Sequence, residues 1–306
     1  MTGILSNKAT VQGDFGDPLG YLAWYTIHND LKVSRQDLED RFIYCGIDAG
    51  FLPNNIHPAD AFRRATSRVE RTNLSVAGQK GLKVNLLVRE VGSNSDQVVR
   101  HLVRELVDSN NVRLAYETVG EFRLYRTGGC MYSSYLGGPC AEEEVRPVLK
   151  QAEDLYEDLR VNYEGEHLRR SVQQTLLDMR VTTVRPSGGV YFVPVSQKEK
   201  LDCLGALMKA LGQEWFTLPV VDAEDTRDMV RRKFADQIND AVKSMTGALG
   251  AEKISQSQVS SLIDQAKRLI EDVGEYEGVL DQNLQDLRSR VEIVKLQMVS
   301  LLNKAA

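Results

Sequence analysis

Arginine side chains are the residues of this sequence whose spacing first suggests a chemical role. Arg64, Arg68 and Arg71 are three or four positions apart, which places them on one face of a helix that Pro58 is predicted to start. The planar guanidinium group fits phosphate oxygens, so this arginine stripe predicts contacts with a nucleic-acid backbone. The ordinary alternative is a solvated helix face, since surface arginines also keep helices soluble.

A second group of polar residues suggests the same chemistry. The sequence predicts a helix over residues 166–179, followed by a hairpin whose turn contains Gly188-Gly189. In a winged helix, the outward residues of such a helix enter a DNA groove and the hairpin contacts phosphate. The residues expected to make these contacts are Arg170, Gln173, Gln174, Arg180 and Arg185.

The sequence contains no complete motif for metal binding, cofactor binding or catalysis. Cys130 and Cys140 lie in one glycine-rich segment, but no C-x-x-C or H-x-x-x-H pair accompanies them. Paired glycines such as Gly128-Gly129 follow neither phosphate-binding loop pattern, and no G-x-S-x-G sequence is present. We therefore predict no metal and no cofactor and favour a non-catalytic protein. An enzyme whose site is assembled from scattered residues stays open.

Composition and charge narrow the class of protein. The 306 residues are 42% apolar and 26% charged, with a formal net charge of −5. These values are typical of a folded chain, and the acidic balance argues against a surface coated with basic residues. No stretch approaches the roughly 18 apolar residues of a membrane span, and the first residues lack a signal-peptide pattern. Four scattered cysteines fit a reducing compartment, so we expect a cytoplasmic protein.

Hydrophobic patterning predicts an α+β fold, with a mixed globular body that contains short hairpins. Residues 1–80 are expected to be a helical region, with one helix near 17–29. Residues 81–140 are expected to form a β-α-β-β unit whose helix runs from Val98 to Leu106. Residues 141–221 predict an α-α-β-β-α-β unit that includes the winged-helix-like part.

The remaining region, residues 222–306, predicts a long antiparallel helical hairpin that resembles a coiled coil. Ser255 and Gln258 form a capping-box pair, after which apolar residues recur at alternating steps of four and three. The register passes through Gly274 and Gly278, so we predict one continuous or bent helix, about 70 Å long if continuous. The part of this seam expected to face a partner or a second copy is Leu280, Leu284, Leu287, Val291, Val294, Met298 and Leu301. A structural brace without a partner explains the same seam.

Two segments resemble known sequences. The segment VRPSGGVYFVP, from Val184 to Pro194, and the segment from Pro58 to Ala65 resemble parts of uncharacterised hypothetical proteins of bacteria and their phages. The resemblance implies a phage or mobile-element origin and no particular activity. Such proteins are often small adaptors or inhibitors of host machinery.

Two functional hypotheses follow from these patterns. The first is a non-catalytic interaction or adaptor protein that binds a protein partner, or itself, through the C-terminal helices. The second is a DNA-binding accessory protein that uses the arginine-bearing helix and hairpin. The heptad seam and the acidic balance favour the first hypothesis.

Overall fold

A computed structural model describes residues 17–76, 81–138, 142–185, 189–251, 253–280 and 285–305. It confirms a mixed α+β fold. The chain forms two compact units that are each discontinuous in sequence. Unit 1 comprises residues 1–29, 39–52 and 165–306, and unit 2 comprises residues 30–38 and 53–164.

Most strands lie in the first two thirds of the chain, and the last three elements are helices. The strands are β1 (Gly20–Thr26), β2 (Lys32–Ser34), β3 (Arg71–Ser75), β4 (Lys83–Ser93), β5 (Gln97–Val107), β6 (Arg113–Tyr125), β7 (Cys130–Tyr135), β8 (Asn162–Glu164), β9 (Thr182–Thr183), β10 (Tyr191–Pro194) and β11 (Glu214–Val220). The α-helices are α1 (Arg35–Tyr44), α2 (Pro58–Arg68), α3 (Glu142–Leu159), α4 (Gly165–Asp178), α5 (Lys198–Ala210), α6 (Glu224–Gly250), α7 (Gln256–Leu280) and α8 (Gln285–Ala305).

Unit 2 is built on an antiparallel five-stranded sheet in the order β3-β4-β5-β6-β7. One face of this sheet packs against α2 and α3. The largest buried side chains of the core between them include Phe62, Phe122 and Tyr156. The helix predicted from Val98 to Leu106 is wrong, because this segment is strand β5. Apolar residues on both faces of β5 obscure the two-residue alternation that identifies a half-buried strand. The predicted β-α-β-β unit is therefore an all-β segment.

The sheet of unit 1 has the order β11-β1-β10-β9, and all of its strand pairs are antiparallel. The helix predicted near residues 17–29 is wrong, because β1 occupies this position. Strand β1 lies between two partners, with Ala23 buried within the strand and Leu19 buried immediately before it. A central strand lacks the polar alternation of a half-exposed one, which explains the misassignment. The predicted helical region at residues 1–80 thus contains β1, β2 and β3 as well as helices.

Helices α6, α7 and α8 form a C-terminal bundle within unit 1. Hydrogen bonds join Arg290 to Asn239 at 2.8 Å and Gln297 to Thr246 at 2.7 Å, so α8 runs parallel to α6. Arg288 of α8 donates two hydrogen bonds of 2.5 Å to Glu277 of α7, which lies eleven positions earlier in the chain. A straight helix would place these residues about 16 Å apart, so α8 folds back along α7.

The predicted single helix from Ser255 to Ala305 is therefore wrong, because it is two helices that pack against each other. Its predicted start is confirmed. The Gln258 side chain accepts a hydrogen bond of 3.0 Å from the backbone N–H of Ser255, and the Ser255 hydroxyl accepts one of 3.3 Å from the N–H of Gln258. The link between α7 and α8, which includes Leu284, lies outside the described residues.

Candidate functional site

Two residues of the predicted arginine stripe, Arg64 and Arg68, lie on α2 of unit 2 and converge on one carboxylate. Arg71 does not share this helix face as predicted, because α2 ends at Arg68 and Arg71 begins β3. Arg68 donates hydrogen bonds of 2.6 and 2.8 Å to the two oxygens of Glu164, and Arg64 contacts the same group. Arg71 donates to the side chain of Gln151 at 2.6 Å. The carboxylate of Glu164 neutralises part of the stripe, so these arginines have roles inside the unit that the sequence did not indicate.

The predicted helix-and-hairpin group lies in unit 1. Arg170, Gln173 and Gln174 are exposed on α4, as expected for an outward face, and Arg170 forms an ion pair with Glu166 one turn away. Strands β9 and β10 pair as the predicted hairpin, with Arg185 exposed after β9. The turn residues 186–188 lie outside the described residues.

Arg180 occupies a different position from the one predicted, because it packs towards α7. It follows α4 with a φ of 55°, the left-handed conformation that ends many helices and favours glycine. Its guanidinium lies 3.9 Å from Asp272 and 3.6 Å from Glu275. Its carbonyl accepts a hydrogen bond of 3.0 Å from the hydroxyl of Tyr276, which in turn accepts one of 2.6 Å from buried Thr182. These contacts fix the segment after α4 to α7.

A polar cleft of about 510 Å³ adjoins Arg180 within unit 1. Its charged lining residues are Asp178, Arg180, Lys200, Arg268, Glu271 and Asp272. Lys200 and Asp178 form an ion pair of 2.7 Å. Burial raises the pKa of the Asp272 carboxyl to about 7, although Arg180 opposes this rise. Positive and negative groups balance along the walls, so the cleft selects no ligand of one charge sign.

Among the described residues, no group of three or more His, Cys, Asp or Glu side chains could hold a metal ion. Cys45, Cys130 and Cys203 are free thiols. Cys140 lies outside the described residues.

The heptad residues predicted to face a partner are buried within the C-terminal bundle. Leu280, Leu287, Val294 and Leu301 are fully buried, Val291 is 5% exposed, and Met298 is partly buried against the same core. This placement corrects the expectation that they form an open docking surface, because α6, α7 and α8 cover them mutually. Leu284 belongs to the link that the structure does not describe.

A second apolar set winds around the outward side of α8, with Leu296 and Val299 facing outward and Ile293 and Leu302 on opposite flanks, because each step of three residues turns about 60° around the helix. Ile293 is 46% exposed, Leu296 70%, Val299 52% and Leu302 48%. We call these four residues the α8 outer set. The sequence interpretation missed them because it followed the heptad seam alone. The signal that could have revealed them is the additional i, i+3 spacing of aliphatic residues between positions 293 and 302.

The fold and these surfaces define a mixed α+β protein whose exposed apolar surface includes a face of its last helix. A family model matches residues 18–306, and the chain belongs to that family, described as a family of unknown function (DUF6744). No curated protein and no solved structure matches the chain. No helix among the described residues is both long enough and apolar enough to span a membrane.

Proposed function

We propose that this protein is a non-catalytic interaction protein that docks an α-helix on the outer face of α8. The observation that carries the proposal is the α8 outer set, four large aliphatic side chains that are about half exposed or more. We further propose that the protein acts in the cytoplasm, consistent with its free thiols, and that it has a phage or mobile-element origin.

The α8 outer set does not contribute to the core of the bundle. The core seam of α8 already supplies the residues that pack on α6 and α7. Leaving aliphatic groups in water forgoes about 25 cal/mol for each Å² that could be buried. A cluster of such residues on one helix is typical of a surface that is covered by a partner.

An α-helix is the partner that fits this surface. Along α8, Glu292, Leu296, Val299 and Asn303 are all exposed and follow steps of four, three and four. This spacing keeps four side chains in line along a second helix, with aliphatic groups in the middle and polar groups at both ends. A partner helix would present short aliphatic side chains at the same spacing.

Position-specific photocrosslinking tests the proposal. A photoreactive amino acid at position 296 should give a crosslinked product in cells that make the protein, and Val299→Asp should abolish that product. The matched control is the same amino acid at position 243 on α6, since Lys243 is 80% exposed and lies outside the α8 outer set. Absence of a product at position 296, or an equal product at position 243, would contradict docking at α8.

DNA binding is a second candidate, supported by the exposed residues of α4 and the neighbouring hairpin. Arg170, Gln173 and Gln174 face outward, and Arg185 is exposed nearby. Fluorescence anisotropy with labelled double-stranded DNA at two salt concentrations tests this candidate, because phosphate contacts weaken steeply with salt. Salt-dependent binding that Arg170→Ala and Arg185→Ala reduce would support it. No binding at low salt would exclude it.

A further inference from the structure

We propose that the helix docked on α8 is α8 of a second copy of this chain, in antiparallel orientation. This inference rests on the proposed docking function and names its partner. The interface would be twofold symmetric, with Leu296 of each copy against Val299 of the other. Glu292 of each copy would then face Asn303 of the other.

The order of residues along α8 carries this inference. Read forwards, the exposed line is polar, aliphatic, aliphatic, polar: Glu292, Leu296, Val299 and Asn303. Read backwards, it has the same order and the same steps of four, three and four. A twofold interface uses the same patch on both subunits, so the patch must complement itself after rotation. The line on α8 satisfies this requirement about a point midway between Leu296 and Val299.

Charge selects the antiparallel orientation. A parallel pair in register would place Glu292 opposite Glu292 of the other copy, and like charges that face each other are unfavourable. The antiparallel pair places Glu292 opposite the neutral amide of Asn303, which can donate a hydrogen bond to a carboxylate. Lys295 pairs with Glu292 at 2.6 Å within the helix and offsets part of the repulsion in a parallel pair, so the orientation also depends on the hydrogen bond to Asn303 that only the antiparallel pair allows.

The size of the surface predicts a weak dimer. The pairing line contributes only two aliphatic side chains from each copy, Leu296 and Val299, whereas stable interfaces bury about 800 Å² on each partner. We therefore expect a weak monomer–dimer equilibrium that reaches the dimer only at high protein concentration. A second copy also requires no other molecule, so the purified full chain is enough for the test.

Sedimentation equilibrium of the full chain from about 10 µM to 1 mM is the first measurement. The weight-average mass should rise towards that of a dimer, and Leu296→Asp should reduce association at least tenfold. The matched control Ser244→Asp adds the same charge at an exposed position of α6 and should leave association unchanged. Circular dichroism should confirm equal helix content in all three proteins. A wild-type chain that stays monomeric at 1 mM would overturn the inference.

Disulfide mapping tests the orientation in a background with Cys130→Ser, which removes an exposed thiol, and Cys140→Ser, which removes a cysteine outside the described residues. Random pairing of an equimolar mixture of Leu296→Cys and Val299→Cys chains would give twice as much mixed disulfide as either homodimeric disulfide, so antiparallel pairing should raise the mixed disulfide well above this statistical ratio. A predominance of the Leu296→Cys homodimer would indicate parallel pairing and contradict the proposal. Photocrosslinking at position 296 separates the two levels of inference. In cells, a product of another mass would keep the docking function and reject the second copy. No product in cells, and none from the purified chain at the highest concentration of the sedimentation series, would reject both.

Discussion

Arg180 Nε lies 3.9 Å from Oδ1 of Asp272, joining the segment after α4 to the middle of α7. The side chain of Asp272 is only 13% exposed, and Glu271 and Glu275 lie near it along the same helix. A carboxylate that is buried beside other carboxylates is costly to ionise. One loose contact with a guanidinium compensates only part of that cost.

The first prediction concerns pH. The pKa of Asp272 is raised in the folded state to about 7, above its unfolded value of about 3.9. Its contribution to stability is therefore complete below the unfolded pKa and is lost as pH rises through about 7. Between pH 5.5 and 8, urea denaturation should show the free energy of unfolding falling by about 1–2 kcal/mol more in the wild type than in Asp272→Asn. Equal slopes would show that Asp272 is ionised throughout this range.

The second prediction concerns the backbone of Arg180. A side chain at a φ of 55° is disfavoured relative to glycine by about 1 kcal/mol. Arg180→Gly and Arg180→Ala both lose the contacts with Asp272 and Glu275, but only the glycine variant relieves the backbone. Chemical denaturation should therefore find Arg180→Gly more stable than Arg180→Ala by about 1 kcal/mol. The reverse order would show that the segment adopts another conformation in solution.

The third prediction separates the two apolar faces of α8. Leu287 is fully buried and Leu296 is 70% exposed. Leu287→Ala should lower the free energy of unfolding by about 2–5 kcal/mol because it leaves a cavity. Leu296→Ala should change it by less than about 0.5 kcal/mol, when measured on dilute monomer. Similar losses in both variants would contradict the assignment of core and outer faces.

The fourth prediction uses Glu164 to test the arginine stripe. Glu164→Gln removes the charge that Arg64 and Arg68 share, so non-specific DNA binding at low salt should strengthen several-fold if the stripe can reach phosphate. Glu142→Gln is the matched control, because it releases Arg146 on α3, which belongs to neither of the two arginine groups expected to contact DNA. DNA anisotropy compares the two variants. Unchanged binding in Glu164→Gln would show that the stripe does not contact nucleic acid.

Local patterns predicted several elements correctly. Pro58 begins α2, the alternation that starts at Leu82 corresponds to β4, and the capping pair at Ser255 precedes α7. These signals depend on residues within one or two turns of each other, so a single sequence contains them. The overall α+β class followed from them.

The failures arose where the local pattern of residues does not determine the structure. The step from Leu280 through Leu284 to Leu287 keeps the heptad register, so the pattern itself cannot reveal that the chain reverses there. Glu164 lies about a hundred positions from Arg64 and Arg68, so the sequence pattern did not indicate that these residues form ion pairs. Strand β1 appeared helical because its two flanking strands come from residues near 192 and 217.

The central position of β1 also has a consequence for synthesis of the chain on the ribosome. Its partners β10 and β11 end at Pro194 and Val220, so β1 leaves the exit tunnel long before either is made. At about 5–20 residues per second, the delay is roughly 10–40 s. During that time the residues of unit 2 emerge and can fold first. The aromatic pair Trp24 and Tyr25 is therefore exposed in the nascent chain, where a chaperone that holds this segment would prevent aggregation.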